Sequence, residues 1–310
     1  MAAKTPSPDP LVSVVIPVYD QARYLGEAIE SVTAQTYPHR EIVVVDDGSR
    51  DDPATVAARH PGVRFVRQPN AGSAAARNRG IRESRGAVVV LLDADDRLLP
   101  DALARGLGAL AARPDAAVVY GRARMIAADG SRLPVEQEPH RVADTYAALL
   151  ERCPIWNPAS VMCRRSVFDS GVTFDPSMRY CSDYLFYLTV ARQWPMASHD
   201  AVVSEYRQHG SNASTNGAAM IRHLTRALRE QRPFVRQAPR WRSARRRGLR
   251  FVCRDYYRPA VRDFWRRVRS GSGRELALRD MPLLLRVTPG VLPRLLAGEA
   301  YRAIRRLVRR

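Results

Sequence analysis

The sequence predicts an α/β fold with a mostly parallel, doubly wound, Rossmann-like central sheet and helices on both faces. Three observations carry that expectation. Short aliphatic runs alternate with stretches of helical periodicity along the N-terminal part of the chain, the pattern of βα units on a parallel sheet. Ile42-Val43-Val44-Val45 and Ala87-Val88-Val89-Val90-Leu91-Leu92 are uncharged and rich in β-branched residues, as strands covered on both faces must be. An acidic turn follows each of these runs: Asp46-Asp47-Gly48-Ser49 and Asp93-Ala94-Asp95-Asp96. Carboxylates there fall at the C-terminal edge of the sheet, where open α/β sheets bind ligands. Paired acids at such an edge point to a divalent cation and a phosphorylated or polyhydroxylated ligand.

The elements follow in order. Val12 to Pro17 is the first predicted strand, and Leu25, Ala28, Ile29 and Val32 then recur at helical spacing as far as Gln35, where Tyr37-Pro38 ends the helix. Glu41 to Val45 is the second strand, and Asp52-Pro53 opens a helix with proline in its first turn. Val63 to Val66 is the third strand, alanine-rich Ser73 to Glu83 the next helix, and Gly86 precedes the fourth strand. Pro100 starts a helix through Ala112, Ala116 to Tyr120 is a strand, and Asp129-Gly130 is the turn of a hairpin reaching Leu133. The alternation then loosens: Ala159 to Cys163 reads as a strand, Asp183 to Gln193 as a helix with Leu185, Leu188 and Val190 inward, and Ala201 to Arg207 as a last strand. A mixed second half of this kind supplies the other wall of a cleft.

Beyond Asn216 the chain turns helical and rich in arginine. The expected organisation is a disordered lead over residues 1–10, a catalytic region over 11–217 divided at about residue 100, and a basic helical extension over 218–310. The formal net charge of +19 suggests nucleic-acid binding until its distribution is examined. Residues 211–310 hold 26 Lys and Arg against 6 Asp and Glu, a net of +20, whereas the first 210 residues net −1. Cys153, Cys163, Cys181 and Cys253 have no C-x-x-C spacing, which argues for free thiols in a reducing compartment rather than zinc or a redox pair. With no basic start leading into an apolar stretch and no run of 18 apolar residues, the expectation is a cytoplasmic protein, peripheral at a membrane where its basic end engages one.

Asp93-x-Asp95 alone is a weak signal, because acidic triplets are common in solvated loops. Its position at the end of a buried strand adds weight, since Mg²⁺ or Mn²⁺ takes carboxylate oxygens and bridges to phosphates. The plainer reading makes Asp96 and Asp101 caps of the helix near Pro100. The second acidic turn is likewise an ordinary turn by composition. It gains meaning from Pro17-Val18-Tyr19, Asn70-x-Gly72 and Ala76-Arg77-Asn78-x-Gly80, which the topology gathers on the same edge.

Together with Ser160 to Phe168, Gly171-x-x-Phe174-Asp175, Ser182-Asp183-Tyr184-Leu185-Phe186 and Tyr206-Arg207-x-His209, this set resembles the family 2 glycosyltransferases of the GT-A fold over residues 11–210. The resemblance implies roles by position. Pro17, Tyr19 and Asp47, with Asp46 in the same turn, line the nucleotide-base pocket, and Arg77 lies near the diphosphate. Asp93 faces ribose and metal, Asp95 binds the metal, and Asp183 is the general base. A Mn²⁺ or Mg²⁺ ion neutralising the departing nucleoside diphosphate, with one carboxylate taking the proton of the attacking hydroxyl, gives inversion at the anomeric carbon. The donor would be a nucleotide sugar, by resemblance a UDP-sugar, and the acceptor a glycan or lipid-linked glycan. Family members often carry Glu-Asp where this chain has Ser182-Asp183. Arg207 and His209 reach the diphosphate or metal if the last strand folds back over the site, and Trp156 and Asn157 are candidates for acceptor contact, with core packing the alternative for Trp156.

The basic end mixes arginine with apolar residues, as in Trp241 to Arg250, Arg262 to Arg269 and Arg302 to Arg310. Phe264-Trp265, Leu283-Leu284-Leu285 and Ile304/Leu307/Val308 would dip into a headgroup layer while arginines meet anionic lipid. A solvated tail is the plain alternative. Two other functions compete. A nucleic-acid-binding protein would use the basic end, but that end lacks any recognisable module. A sugar nucleotidyltransferase would want a glycine-rich basic loop after strand one, where this chain has Pro17-Val18-Tyr19-Asp20-Gln21.

Overall fold

The computed structural model describes residues 9–139, 142–210, 212 and 215–270. The chain divides into two compact units, residues 1–210 and 211–310. The expected lead over residues 1–10 lies almost wholly outside the described residues, as do Leu283 to Leu285 and Arg302 to Arg310 of the basic end.

In the first unit β1 (Val12–Val18), β2 (Arg40–Asp46), β3 (Val63–Arg67) and β4 (Val88–Leu91) are parallel, in the order β3-β2-β1-β4. Their aliphatic composition has its physical reason in burial. Val14, Val15, Ile16, Val43, Val44 and Val45 are all wholly inaccessible, and each such side chain stabilises the fold by about 1.5–3 kcal/mol relative to exposure. Helix α1 (Ala22–Thr33) covers one face with Leu25, Ala28, Ile29 and Val32, the stripe its spacing predicts. Helix α2 (Pro53–Ala58) starts at Asp52, whose side chain accepts from the Thr55 amide. Helix α3 (Ser73–Glu83) lies flush against the sheet: a Cβ built on Gly80 would stand 2.2 Å from Val15 Cγ1 and 3.1 Å from Val45 Cγ2. Only glycine permits that approach.

The second half is mixed. After β5 (Arg97–Leu98) and α4 (Ala102–Ala112) come β6 (Val118–Ile126), β7 (Arg132–Glu136), α5 (Thr145–Glu151), β8 (Val161–Arg164), α6 (Arg165–Asp169), α7 (Ser182–Gln193) and β9 (Met196–Arg207). Among the described residues all nine strands form one sheet, continuing β4-β8-β6-β9-β5 with β7 on β6. Strand β8 is antiparallel to β4, β6 antiparallel to β8, and β9 parallel to β6. Two reversals restore the direction of β4, so β9 delivers Arg207 and His209 to the same edge as Asp93 to Asp96.

Strands β6 and β9 are longer than the expected Ala116–Tyr120 and Ala201–Arg207. The added length contains a break in the register, where Gly121 and His199 to Ala201 fall between the Tyr120–Ser198 and Arg122–Val202 pairs. Tertiary pairing carries the strands past it: the register shifts on either side of Arg122, whose guanidinium donates to the carbonyls of Gln137 and Asp200. In the second unit, α8 (Gly217–Glu230) buries Ile221, Leu224, Ala227 and Leu228 and packs against α9 (Pro239–Ser270). Phe264 and Trp265 fall within α9.

Candidate active site

The sheet edge collects the acidic residues by topology. The chain leaves β4 through a tight turn in which the Asp96 amide donates to the Asp93 carbonyl at 2.9 Å. Asp93 takes a 2.8 Å bond from Arg77 Nη2, and Asp95 Oδ2 meets both His209 Nε2 at 2.9 Å and Gln21 Nε2 at 3.2 Å. Asp96 is wholly buried. Its Oδ1 accepts from the Arg207 amide and its Oδ2 from Asn157 Nδ2. Burial and the charges of Asp95 and Asp93 push the Asp96 carboxyl well above the ordinary range.

Arg77 links this turn to the opposite wall. Its side chain is 7% exposed, Nη2 holds Asp93, and Nη1 donates to Ser182 Oγ at 3.2 Å, while buried Nε has no partner among the described residues. Burial opposes its charge, but the carboxylates of Asp93 and Asp183 outweigh that and strengthen its hold on the proton. Ser182 and Asp183 open α7, with Cys181 in the left-handed region at φ 56° just before them. Burial raises the Asp183 carboxyl above the usual Asp value, while the Arg77 charge and the Tyr184 amide hold it back. A carboxylate raised in this way is better matched to accepting a proton than a solvated one.

The turn after β2 is built differently. Asp47 accepts three bonds, from Gln68 Nε2 and the Ala71 amide on Oδ1 and from the Gly72 amide on Oδ2, all between 2.8 and 2.9 Å. Asp46 Oδ1 takes the Ser49 amide at 2.8 Å, and Arg67 Nε lies 3.4 Å from Oδ2. Both carboxylates are at most 2% exposed, so the turn's acids tie down the Gly48 turn and the 70–72 loop. Gly48, at φ 82°, lies so close to the Asn70 amide that a Cβ would stand 2.9 Å from it. Pro17 is buried at the end of β1 opposite Val45, while Tyr19 is 45% exposed beside this turn.

Among the described residues no three His, Cys, Asp or Glu side chains converge as a preassembled metal cluster. The donor chemistry of the Asp93–Asp95 turn nevertheless suits a hard cation. Asp95 uses Oδ2 for both its bonds, so Oδ1 has no partner among the described residues, and Asp93 keeps 32% of its side chain exposed. Burial first, and then the charge of Asp93, raise the Asp95 carboxyl above its ordinary range. Two crowded carboxylates with one oxygen unspent are what a divalent ion relieves. His209 lies within reach, stacked on Tyr24 at 5.2 Å between ring centroids.

Three expectations need correction. Asp96 does not cap α4; it is an interior acceptor. Asp101 occupies the N-cap position without a side-chain cap bond, and its carboxylate meets Arg105 instead. Arg207 does not reach toward a diphosphate: wholly buried, it donates to the carbonyls of Asp95 and Ala128 and to Glu27. Asn157, a candidate for acceptor contact, is 2% exposed and spends its amide on Asp96 and Ser204, so it braces the turn from inside. Trp156 beside it is half-buried. Sequence reasoning missed Gln21, Tyr24 and Glu27. All three sit at or in the start of α1, and the only available signal was that Gln21 follows β1 on the ligand edge.

A profile of the family described as "Glycosyl transferase family 2" matches residues 13–172. Chondroitin synthase of Escherichia coli is 38% identical over 219 residues, covering 66% of this chain and 30% of its own. An uncharacterized glycosyltransferase of Rickettsia felis is 29% identical over 218 residues, covering 66% and 35%. The chain thus spans about a third of the length of these two relatives. Among solved structures, the mannosyltransferase PcManGT from Pyrobaculum calidifontis, in complex with GDP-Man and Mn²⁺, superposes with a TM-score of 0.60 at 20% identity, over 97% of this chain and 83% of its own. S. aureus TarS 1-349 in complex with UDP-GlcNAc gives 0.58 at 17% identity, over 71% and 66%. The likeness to these structures is one of fold.

Proposed function

This chain belongs to glycosyl transferase family 2, and on that premise we propose that it transfers a sugar from a nucleoside-diphosphate sugar to a hydroxyl of a glycan or lipid-linked glycan, inverting the anomeric centre. The observation that carries the reading is Arg77, a buried guanidinium bonded on one side to Asp93 of the acidic turn and on the other to Ser182, the neighbour of Asp183. One cation thus stands between the donor-side acids and the base, where a diphosphate leaves as a hydroxyl attacks. The fold is shared with proteins crystallised with UDP-GlcNAc and with GDP-Man and Mn²⁺, which supports a nucleotide-sugar donor.

In this reading Asp183 accepts the proton of the attacking hydroxyl. Arg77 offers its unpaired Nε–H to the diphosphate. Tyr19, Pro17 and the Asp46-Asp47 turn border the base, with Asp47 shaping that wall through the 70–72 loop. A Mn²⁺ or Mg²⁺ ion held by Asp93, Asp95 and His209 supplies, when bound, positive charge against the departing diphosphate. Residues 11–217 form the catalytic module and 218–310 an accessory one. UDP is the preferred nucleotide of the reading.

The test is calorimetric titration of the protein with UDP, GDP, dTDP and CDP, with and without Mn²⁺, with Asp95→Asn as control. Micromolar, Mn²⁺-dependent binding of one nucleotide, lost in the variant, is the expected result. Absence of binding to all four by folded protein would falsify the donor assignment.

A further inference from the structure

Helix α9 carries three arginines that nothing among the described residues neutralises. Its inner face, with Ala244 and Val252 buried, belongs to the packing with α8, and Arg245 there donates to the Leu228 carbonyl at the end of that helix. On the opposite face, Arg242, Arg246 and Arg250 are exposed at four-residue spacing, and none makes an ion pair or side-chain hydrogen bond among the described residues. Arg254 extends the row and meets only its exposed neighbour Asp255. Side chains four apart lie one above another on a helix. Each four-residue step rises about 6 Å and turns about 40°, so the row climbs about 18 Å while winding through about 120° of one side of the helix. Cations this close repel one another, and with only Arg254 paired the row is a cost that an anionic partner would offset.

We propose that this arginine row is a docking surface for an anionic lipid bilayer. Shape selects that partner. A one-sided band of arginines matches a flat layer of phosphates, whereas nucleic-acid binders add groups that read base edges or stack on bases along a grooved backbone. The exposed residues interleaved between Arg242 and Arg250 are Ser243 and Arg247, neither of which offers an aromatic ring for stacking on a base. The charge distribution agrees: residues 211–310 net +20 while the first 210 net −1, so attraction is confined to one unit. Binding through this row is electrostatic, without apolar insertion, and so yields to salt. The inference stands on the second unit alone and is independent of the transferase reading.

The experiment is co-sedimentation of the full chain with phosphatidylcholine vesicles and with vesicles half phosphatidylglycerol, at low and high salt. The expected result is binding only to the anionic vesicles and release by salt. Each arginine near a charged surface is worth about fivefold in affinity, so Arg242→Glu/Arg246→Glu/Arg250→Glu should weaken binding by about a hundredfold or more. The corresponding triple lysine variant should bind like the wild type, which separates lost charge from lost fold; circular dichroism of both checks folding. Equal binding of wild type to neutral vesicles, or retention within twofold by the folded glutamate variant, would overturn the proposal. So would displacement from vesicles by duplex DNA at equal phosphate concentration, which would give the row to nucleic acid. Nucleotide binding by the glutamate variant should be unchanged, since none of the three arginines belongs to the donor site.

Discussion

Two acidic turns leave the same edge of one sheet, yet their carboxylates do opposite work. After β2, Asp47 is surrounded by donors: two backbone amides and a side-chain amide saturate it, and a loop is fixed in return. After β4, Asp93 and Asp95 have fewer donors, a raised Asp95 carboxyl and an oxygen to spare. Residue type and strand position are alike. What separates an architectural acid from one open to a ligand is the count of N–H groups aimed at it, and that count depends on loops arriving from elsewhere in the chain.

Substitutions should therefore split the two turns. The largest effect is expected at the base: Asp183→Asn should lower kcat by about 10²–10⁴-fold while leaving nucleotide titration intact, because only proton removal is lost. Loss of both together would make Asp183 a donor-site residue. Next, Asp95→Asn should cost about 10²–10³-fold in Mn²⁺-dependent activity with little change in unfolding free energy. Asp47→Ala should do the reverse in stability, lowering it by about 1–3 kcal/mol in denaturant titration, since two backbone amides and the Gln68 side chain lose their acceptor. If Asp95→Asn proves the more destabilising of the two, the comparison fails.

A milder signature is expected in pH. In the proposed role of base Asp183 acts ionised, and burial raises its pKa, so the acid limb of kcat should lie above the ordinary Asp value of 3.8 and activity should rise as pH rises through it. For stability the sign is opposite. A carboxyl raised in the fold, such as Asp95, contributes stability below its unfolded pKa that is lost as pH climbs through the folded one. Comparing the pH dependence of unfolding in wild type and Asp95→Asn, without metal, should isolate that loss, and Mn²⁺ should diminish it. Smallest of all, Ser182→Ala removes one partner of Arg77 and should cost about 1 kcal/mol by thermal melts.

The first four strands were legible because each is an aliphatic run whose burial is its only requirement, and the acidic turns could be placed once those strands were. Strands β6 and β9 were only half legible, because the register breaks at Gly121 and His199 to Ala201 and the pairing beyond the break is set by tertiary context rather than propensity. The site was readable as a set of positions but not as a division of labour. Arg207 and Asn157 look like ligand contacts in sequence and prove to be internal braces, since burial and partner choice are settled by chains meeting in space. Tyr24, stacked on His209 and under the Arg207 guanidinium at 4.7 Å, has no local signal at all.

Gly80 sets a limit on redesign. Because no larger residue fits between α3 and the strands beneath it, that helix can neither slide nor lift without breaking the sheet contact, and Arg77, one turn earlier, is held at a fixed height above the edge. Attempts to reshape this site would therefore find α3 an unyielding ruler, and the room for change in the loops around it.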